Sequence, residues 1–85
     1  MDETTREFIF RELRENQSPY FDEGDIEHYY TKNKGKVKPT IYEMLVVKSE
    51  DSTVSVSGLN TADTSNYFLR LASKYRPHSS RILGI

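Results

Sequence analysis

Apolar positions along this chain fall into short stripes separated by polar breaks. The clearest stripe lies in SGLNTADTSNYFLRLASKYRP, residues 57–77. Phe68, Leu71, Ala72 and Tyr75 stand at i, i+3, i+4 and i+7, the spacing that lines one face of a helix. This pattern predicts a helix that starts between Thr61 and Thr64. Pro77 stops it, because it disfavours helical geometry at Arg76 and carries no N–H. Near the front, Ile9, Phe10 and Leu13 share a face, with Phe8 to the side. Thr4 and Glu7 fit a capping box that opens this first helix, and Asn16-Gln17-Ser18-Pro19 breaks it. A second helix is predicted from Asp22 as N-cap, with Phe21 and Ile26 spaced as a hydrophobic staple. Its apolar face is Ile26, Tyr29 and Tyr30, and Asn33 or Gly35 ends it.

Residues 36–58 support two readings. Ile41, Tyr42, Val46, Val47, Val54 and Val56 are residues that strands favour. Ile41, Met44, Leu45 and Lys48 nevertheless recur at helical spacing, and Pro39 suits a first helical turn. A helix over 39–50 and a hairpin 40–48/52–58 turning at Glu50-Asp51 both remain open. The alternation Thr53-Val54-Ser55-Val56-Ser57 reads as a short extended piece in either case. The expected fold is mainly α, a small bundle of three to four helices with a short extended segment; the alternative is α+β with a hairpin over 40–58. One domain over 1–77 is expected, followed by a flexible tail over 78–85.

Length sharpens this picture. A chain of 85 residues buries only roughly 60–65% of its unfolded surface, so its core is marginal. With no cysteine, disulfides and thiolate metal sites are excluded. No apolar run approaches a membrane span, and the start MDETTREFIF lacks the basic region of a signal peptide. The expectation is an intracellular protein without membrane contact.

Charge divides along the chain. Residues 1–27 hold nine acids against three arginines, a net charge of −6. Residues 28–85 hold nine Lys or Arg against four acids, a net charge of +5. Either the acidic front folds onto the basic back within one monomer, or the acidic end of one copy meets the basic end of the next. In the second case Glu23, Asp25 and Glu27 are the acids expected to matter for association.

Candidate chemistry is sparse. The two histidines, His28 and His78, fall in a predicted helix and the tail, and no H-E-x-x-H, G-x-S-x-G or phosphate loop occurs. The carboxylates read as surface charges. We therefore expect no enzymatic activity, no cofactor and no metal. The stretch from Tyr29 to Lys38 interleaves two tyrosines with four lysines, a composition that can neutralise phosphates and stack on bases. Arg70 and Lys74, with Arg76, add a basic strip on the last helix. A small nucleic-acid-binding or regulatory module is thus the alternative function, although the overall charge of −1 speaks against a dedicated DNA binder.

The order of features resembles the small head–tail connector (head-completion or adaptor) proteins of tailed bacteriophages. The resemblance rests on Tyr20-Phe21-Asp22-Glu23 opening a helix, then Lys34-Gly35-Lys36-Val37 before Ile41-Tyr42-Glu43-Met44-Leu45. Lys48-Ser49-Glu50-Asp51, Ser55-Val56-Ser57-Gly58-Leu59 and Asn66-Tyr67-Phe68-Leu69-Arg70-Leu71-Ala72 follow, running into Tyr75-Arg76-Pro77. It covers roughly residues 20–77 and implies a mostly helical, non-enzymatic virion protein assembled in the host cytoplasm. Copies would form a ring on the portal, extend the DNA channel and dock tail proteins, with DNA passing through unbound. It also favours a long helix in the third segment, although Pro39 and Thr40 stand where such proteins commonly have Ala-rich helix.

In that setting Phe68, Leu71, Ala72 and Tyr75 close the chain's own core against Ile9, Phe10, Leu13, Ile26 and the Ile41/Leu45 face. Tyr67 and Leu69, to either side of the stripe, are expected to be covered by a neighbour. Arg81, Ile82 and Leu83 in the tail are expected to clip onto an adjacent subunit or the portal.

Overall fold

Four helices form where periodic apolar positions meet a local cap. The computed structural model describes residues 1–76, so the tail residues Arg81, Ile82 and Leu83 lie outside the described residues. Helix α1 spans Glu3–Glu12, α2 Glu23–Lys32, α3 Val37–Glu50 and α4 Thr61–Ser73. The described residues contain no strand.

Helix α1 starts earlier than Thr4. Its cap is Asp2, whose carboxylate accepts the Thr5 N–H at 2.7 Å. A carboxylate makes a stronger, charge-assisted cap than a hydroxyl and also suits the positive end of the helix dipole. The C-terminus of α1 closes as a Schellman motif with Arg14 left-handed at φ 60°. There Glu15 N–H donates to the Phe10 carbonyl and Arg14 N–H to that of Arg11. The helix therefore ends before the Asn16–Pro19 break.

Helix α2 begins at the expected Asp22, in a reciprocal capping box with Asp25. Its end repeats the motif of α1: Lys34 is left-handed at φ 58°, and Gly35, at φ 75°, donates to the Tyr30 carbonyl. Asn60 caps α4 by accepting the Asp63 N–H at 2.7 Å. Helix α4 ends at Ser73, one turn before Pro77, so the chain has left the helix before proline forces it to.

The third segment is helical from Val37 to Glu50, in spite of its β-branched residues. Val37 and Lys38 precede Pro39, which sits in the first turn where no intrahelical N–H bond is lost. Burial overrides propensity here: Thr40, Ile41, Met44, Leu45, Lys48 and Ser49 are all buried. Residues 52–58 form no hairpin arm. Asp51 instead folds the chain back by accepting the Thr53 N–H and hydroxyl, and Val56–Leu59 close a turn around Gly58 at φ 87°.

Ile9, Leu13, Ile26, Ile41, Met44, Leu45, Val54, Phe68 and Ala72 make one contiguous core. Of the α4 stripe, Phe68 and Ala72 are fully enclosed, while Leu71 and Tyr75 are half-buried against the core. Helix α3 is the hub. It runs against each of the other three helices, α1 and α2 also touch each other, and α4 runs against α3 alone.

Beyond the end of α4, Tyr75 ties back to α1 by donating its hydroxyl to Glu12. Burial, followed by that carboxylate, raises the Tyr75 pKa from the ordinary 10.0 to about 12. The unfolded chain loses this proton first, so the stabilisation is complete below pH 10 and is lost as pH rises towards 12. Ultraviolet titration of the tyrosinate band should show a late step that Tyr75→Phe removes and Glu12→Gln moves down. A titration unchanged by Tyr75→Phe would dismiss this assignment.

Candidate functional site

Two features stand out when the polar groups are followed: a buried ion pair and a surface divided by charge. The first corrects the reading of the carboxylates as surface charges. Glu15 and Lys48 have side chains 1% and 0% exposed, and the Lys48 ammonium lies 2.6 Å from a Glu15 oxygen. Lys48 also donates to the Leu13 carbonyl at 2.7 Å and stands 4.7 Å from the centre of the Phe68 ring. The second Glu15 oxygen accepts the Tyr20 and Phe21 N–H groups, each at 2.8 Å.

This network joins the end of α1, the loop to α2, the last turns of α3 and the middle of α4. Burial pushes the Lys48 pKa below its ordinary value, against the opposing hydrogen bond and charge of Glu15. Two further bonds pin the same region: Ser18 donates to the Ser55 carbonyl, and Tyr20 donates to Asp51 at 2.5 Å. These contacts organise the loops. A hint of the pair is visible in the sequence, since Lys48 continues the apolar stripe of Ile41, Met44 and Leu45 and so demands a buried counter-charge. Nothing local points to Glu15, 33 residues away.

The second feature concerns the divided charge. Of the nine acids in residues 1–27, only Glu15 forms an ion pair with a cation of the basic part among the described residues. Glu27 pairs instead with Arg6 of the same acidic part, at 3.3 Å. Arg70 and Lys74 pair with none of these acids, although Tyr75, next to Lys74, reaches Glu12 of α1. Folding leaves the charge division largely standing.

Glu23, Asp25 and Glu27 all lie on the exposed face of α2, but their situations differ. The Asp25 carboxylate is engaged in the capping box and that of Glu27 with Arg6. Glu23 has no such engagement among the described residues. It borders a shallow hollow of about 180 Å³ with Arg6, Glu7 and Phe10, and the Nε of Arg6 is buried there without a partner. On α4, Arg70 and Lys74 are exposed and make no ion pair among the described residues. Leu69 is 45% exposed, whereas Tyr67 is half-buried against the core. The structure thus separates Tyr67 from Leu69.

The basic-aromatic stretch is also divided. Tyr29 and Tyr30 pack against the core, and Lys32 is bound to Glu43 at 2.5 Å, which raises its pKa. Lys34, Lys36 and Lys38 are exposed and make no ion pair among the described residues, without a free ring between them. His28 is exposed on α2. Among the described residues, no three His, Cys, Asp or Glu side chains are grouped to hold a metal ion, and no helix is long and apolar enough to cross a membrane.

A larger groove, about 440 Å³, runs along the outer side of α3 between Pro39, Tyr42, Val46 and Val47, with Asn33 and Glu43 at its edge. It marks a second apolar stripe on α3, opposite the buried one, which the strand-like composition of this segment conceals. Comparison with protein-family models, curated proteins and solved structures finds no match.

Proposed function

We propose that this chain is a non-enzymatic assembly protein of a tailed bacteriophage, a head–tail connector that forms a ring on the portal and links capsid to tail. The observation that carries the reading is the charge division that folding leaves unpaired, with nearly all acids of the front unmatched by cations of the back among the described residues. A monomer built this way offers its neighbours two surfaces of opposite sign. The small core, the exposed Leu69 and the open groove of α3 fit a subunit completed by contacts with other chains. The order of sequence features that resembles connector proteins supplies the biological setting. Acidic surfaces facing the channel would let DNA pass without holding it.

The test is the mass of the purified protein by light scattering over a range of concentrations, alone and with portal rings. A closed oligomer, or retention on a portal ring, is the expected result. A monomer indifferent to portals but shifted by an oligonucleotide, with steep salt dependence, would replace this reading with a nucleic-acid module using Lys34, Lys36 and Lys38.

A further inference from the structure

We infer that one copy of this chain docks the outer face of α4 into the hollow between α1 and α2 of the next copy, an inference that rests on the self-association in the function proposed above. Leu69 is the most exposed large apolar side chain among the described residues, and it stands at the edge of the exposed face of α4, three positions before the buried Ala72. Arg70 follows it, and Lys74 lies further round at the C-cap of α4; both are exposed and without an ion pair among the described residues. The hollow has the complementary character: Phe10 gives it an apolar wall, Glu7 and Glu23 line it with negative charge, and the charge of Arg6, its fourth lining residue, is met by Glu27. Its volume of about 180 Å³ suits a single aliphatic side chain with its surroundings.

The two surfaces are different patches on different helices, so each contact joins unlike faces. Each contact leaves one α4 face and one hollow free, which is the head-to-tail arrangement that closes into a ring or continues as a filament. One helix face in one hollow is a small interface, so association depends on low salt or on closure to accumulate affinity.

The experiment uses charge reversal in two separate proteins, with folding of each checked by circular dichroism. Glu7→Lys/Glu23→Lys makes the hollow basic, and Arg70→Glu/Lys74→Glu makes the α4 face acidic. Asp25 and Glu27 stay untouched because they hold the α2 cap and Arg6. In sedimentation velocity at low salt, the wild type should associate and each variant alone should be weakened on the order of a hundredfold. Mixing the two variants should restore association, since each hollow then meets a face of opposite sign. Leu69→Cys mixed with Glu7→Cys should also yield a disulfide-linked heterodimer, against a chain with no cysteine of its own.

A wild type that stays monomeric at low salt overturns the inference. So do variants that associate like the wild type, or an assembly whose cross-links reach the α3 groove instead of Glu7. Association through these surfaces without retention on portal rings would uphold the contact and refute the connector role. Retention on portals by both charge-reversed variants, with no contact between copies, would do the opposite.

Discussion

Lys48→Ala is expected to destabilise the fold by about 3–5 kcal/mol, because it leaves the Glu15 carboxylate buried without its counter-charge. A small domain holds only about 5–15 kcal/mol in total, so the variant should be largely unfolded near physiological temperature. Glu15→Ala should cost as much. It strips the partner from Lys48 and also the acceptor from the Tyr20 and Phe21 N–H groups.

The double variant Lys48→Met/Glu15→Gln separates an indispensable ion pair from a merely costly half-pair. Both charges then leave the interior together, Met fills the volume of the lysine stem, and the carboxamide oxygen that replaces the Glu15 carboxylate still accepts a loop N–H. The NH₂ of the same carboxamide can donate to the Leu13 carbonyl that Lys48 vacates. Stability within about 2 kcal/mol of the wild type is expected, since a buried pair gives little net stability once its desolvation is counted. The depressed Lys48 pKa, with burial as its first cause, points the same way. Urea unfolding of the wild type, the double variant and its components Lys48→Met and Glu15→Gln measures the cycle. Single variants that each cost less than about 1 kcal/mol would show that the pair does not organise the fold.

Phe68→Ala should be comparably severe, again about 3–5 kcal/mol, but for a different reason. The ring is fully buried in the middle of α4, inside the single core, and it forms one wall of the Lys48 site. Removing it leaves a cavity between α3 and α4 and withdraws the π face beside the ammonium. Phe68→Leu keeps most of the volume and loses only the ring contact, so it should recover most of the stability. Chemical denaturation reads both. Equal losses for Ala and Leu would assign the effect to the ring rather than to packing.

These two residues also mark where reading the sequence succeeds and where it stops. Phe68 is legible as core from its place in the i, i+3, i+4, i+7 stripe, and its burial follows. Lys48 is legible only as an anomaly within a stripe, and its partner not at all. The Asp22 cap is visible because capping is local, the acceptor lying three residues from the N–H it serves. The same local rule applies to Asp2, but the capping-box pattern of Thr4 and Glu7 points to the wrong oxygen.

The candidate association surfaces divide similarly. Leu69, Arg70 and Lys74 stand out as exposed groups on an amphipathic helix, and the acidity of residues 22–27 is plain from composition. Sequence cannot say that Asp25 and Glu27 are engaged with Asp22 and Arg6 while Glu23 remains beside the hollow.

By itself, the sequence determined the Asp22 start of α2 and the start of α4 between Thr61 and Thr64, the residues of the α1, α2 and α4 stripes, and the division of charge between front and back. Each of these depends on neighbours within a turn or two, or on composition alone. Tertiary structure decided the rest. It made residues 37–50 a helix against their own β-propensity, because a segment enclosed by three others gains more from burial than propensity can oppose. It brought Glu15 to Lys48, and it left the other acids of the front without a cation of the back among the described residues. Such outcomes depend on groups distant along the chain meeting in a medium of low polarizability, where pairing and burial are settled by the whole fold at once.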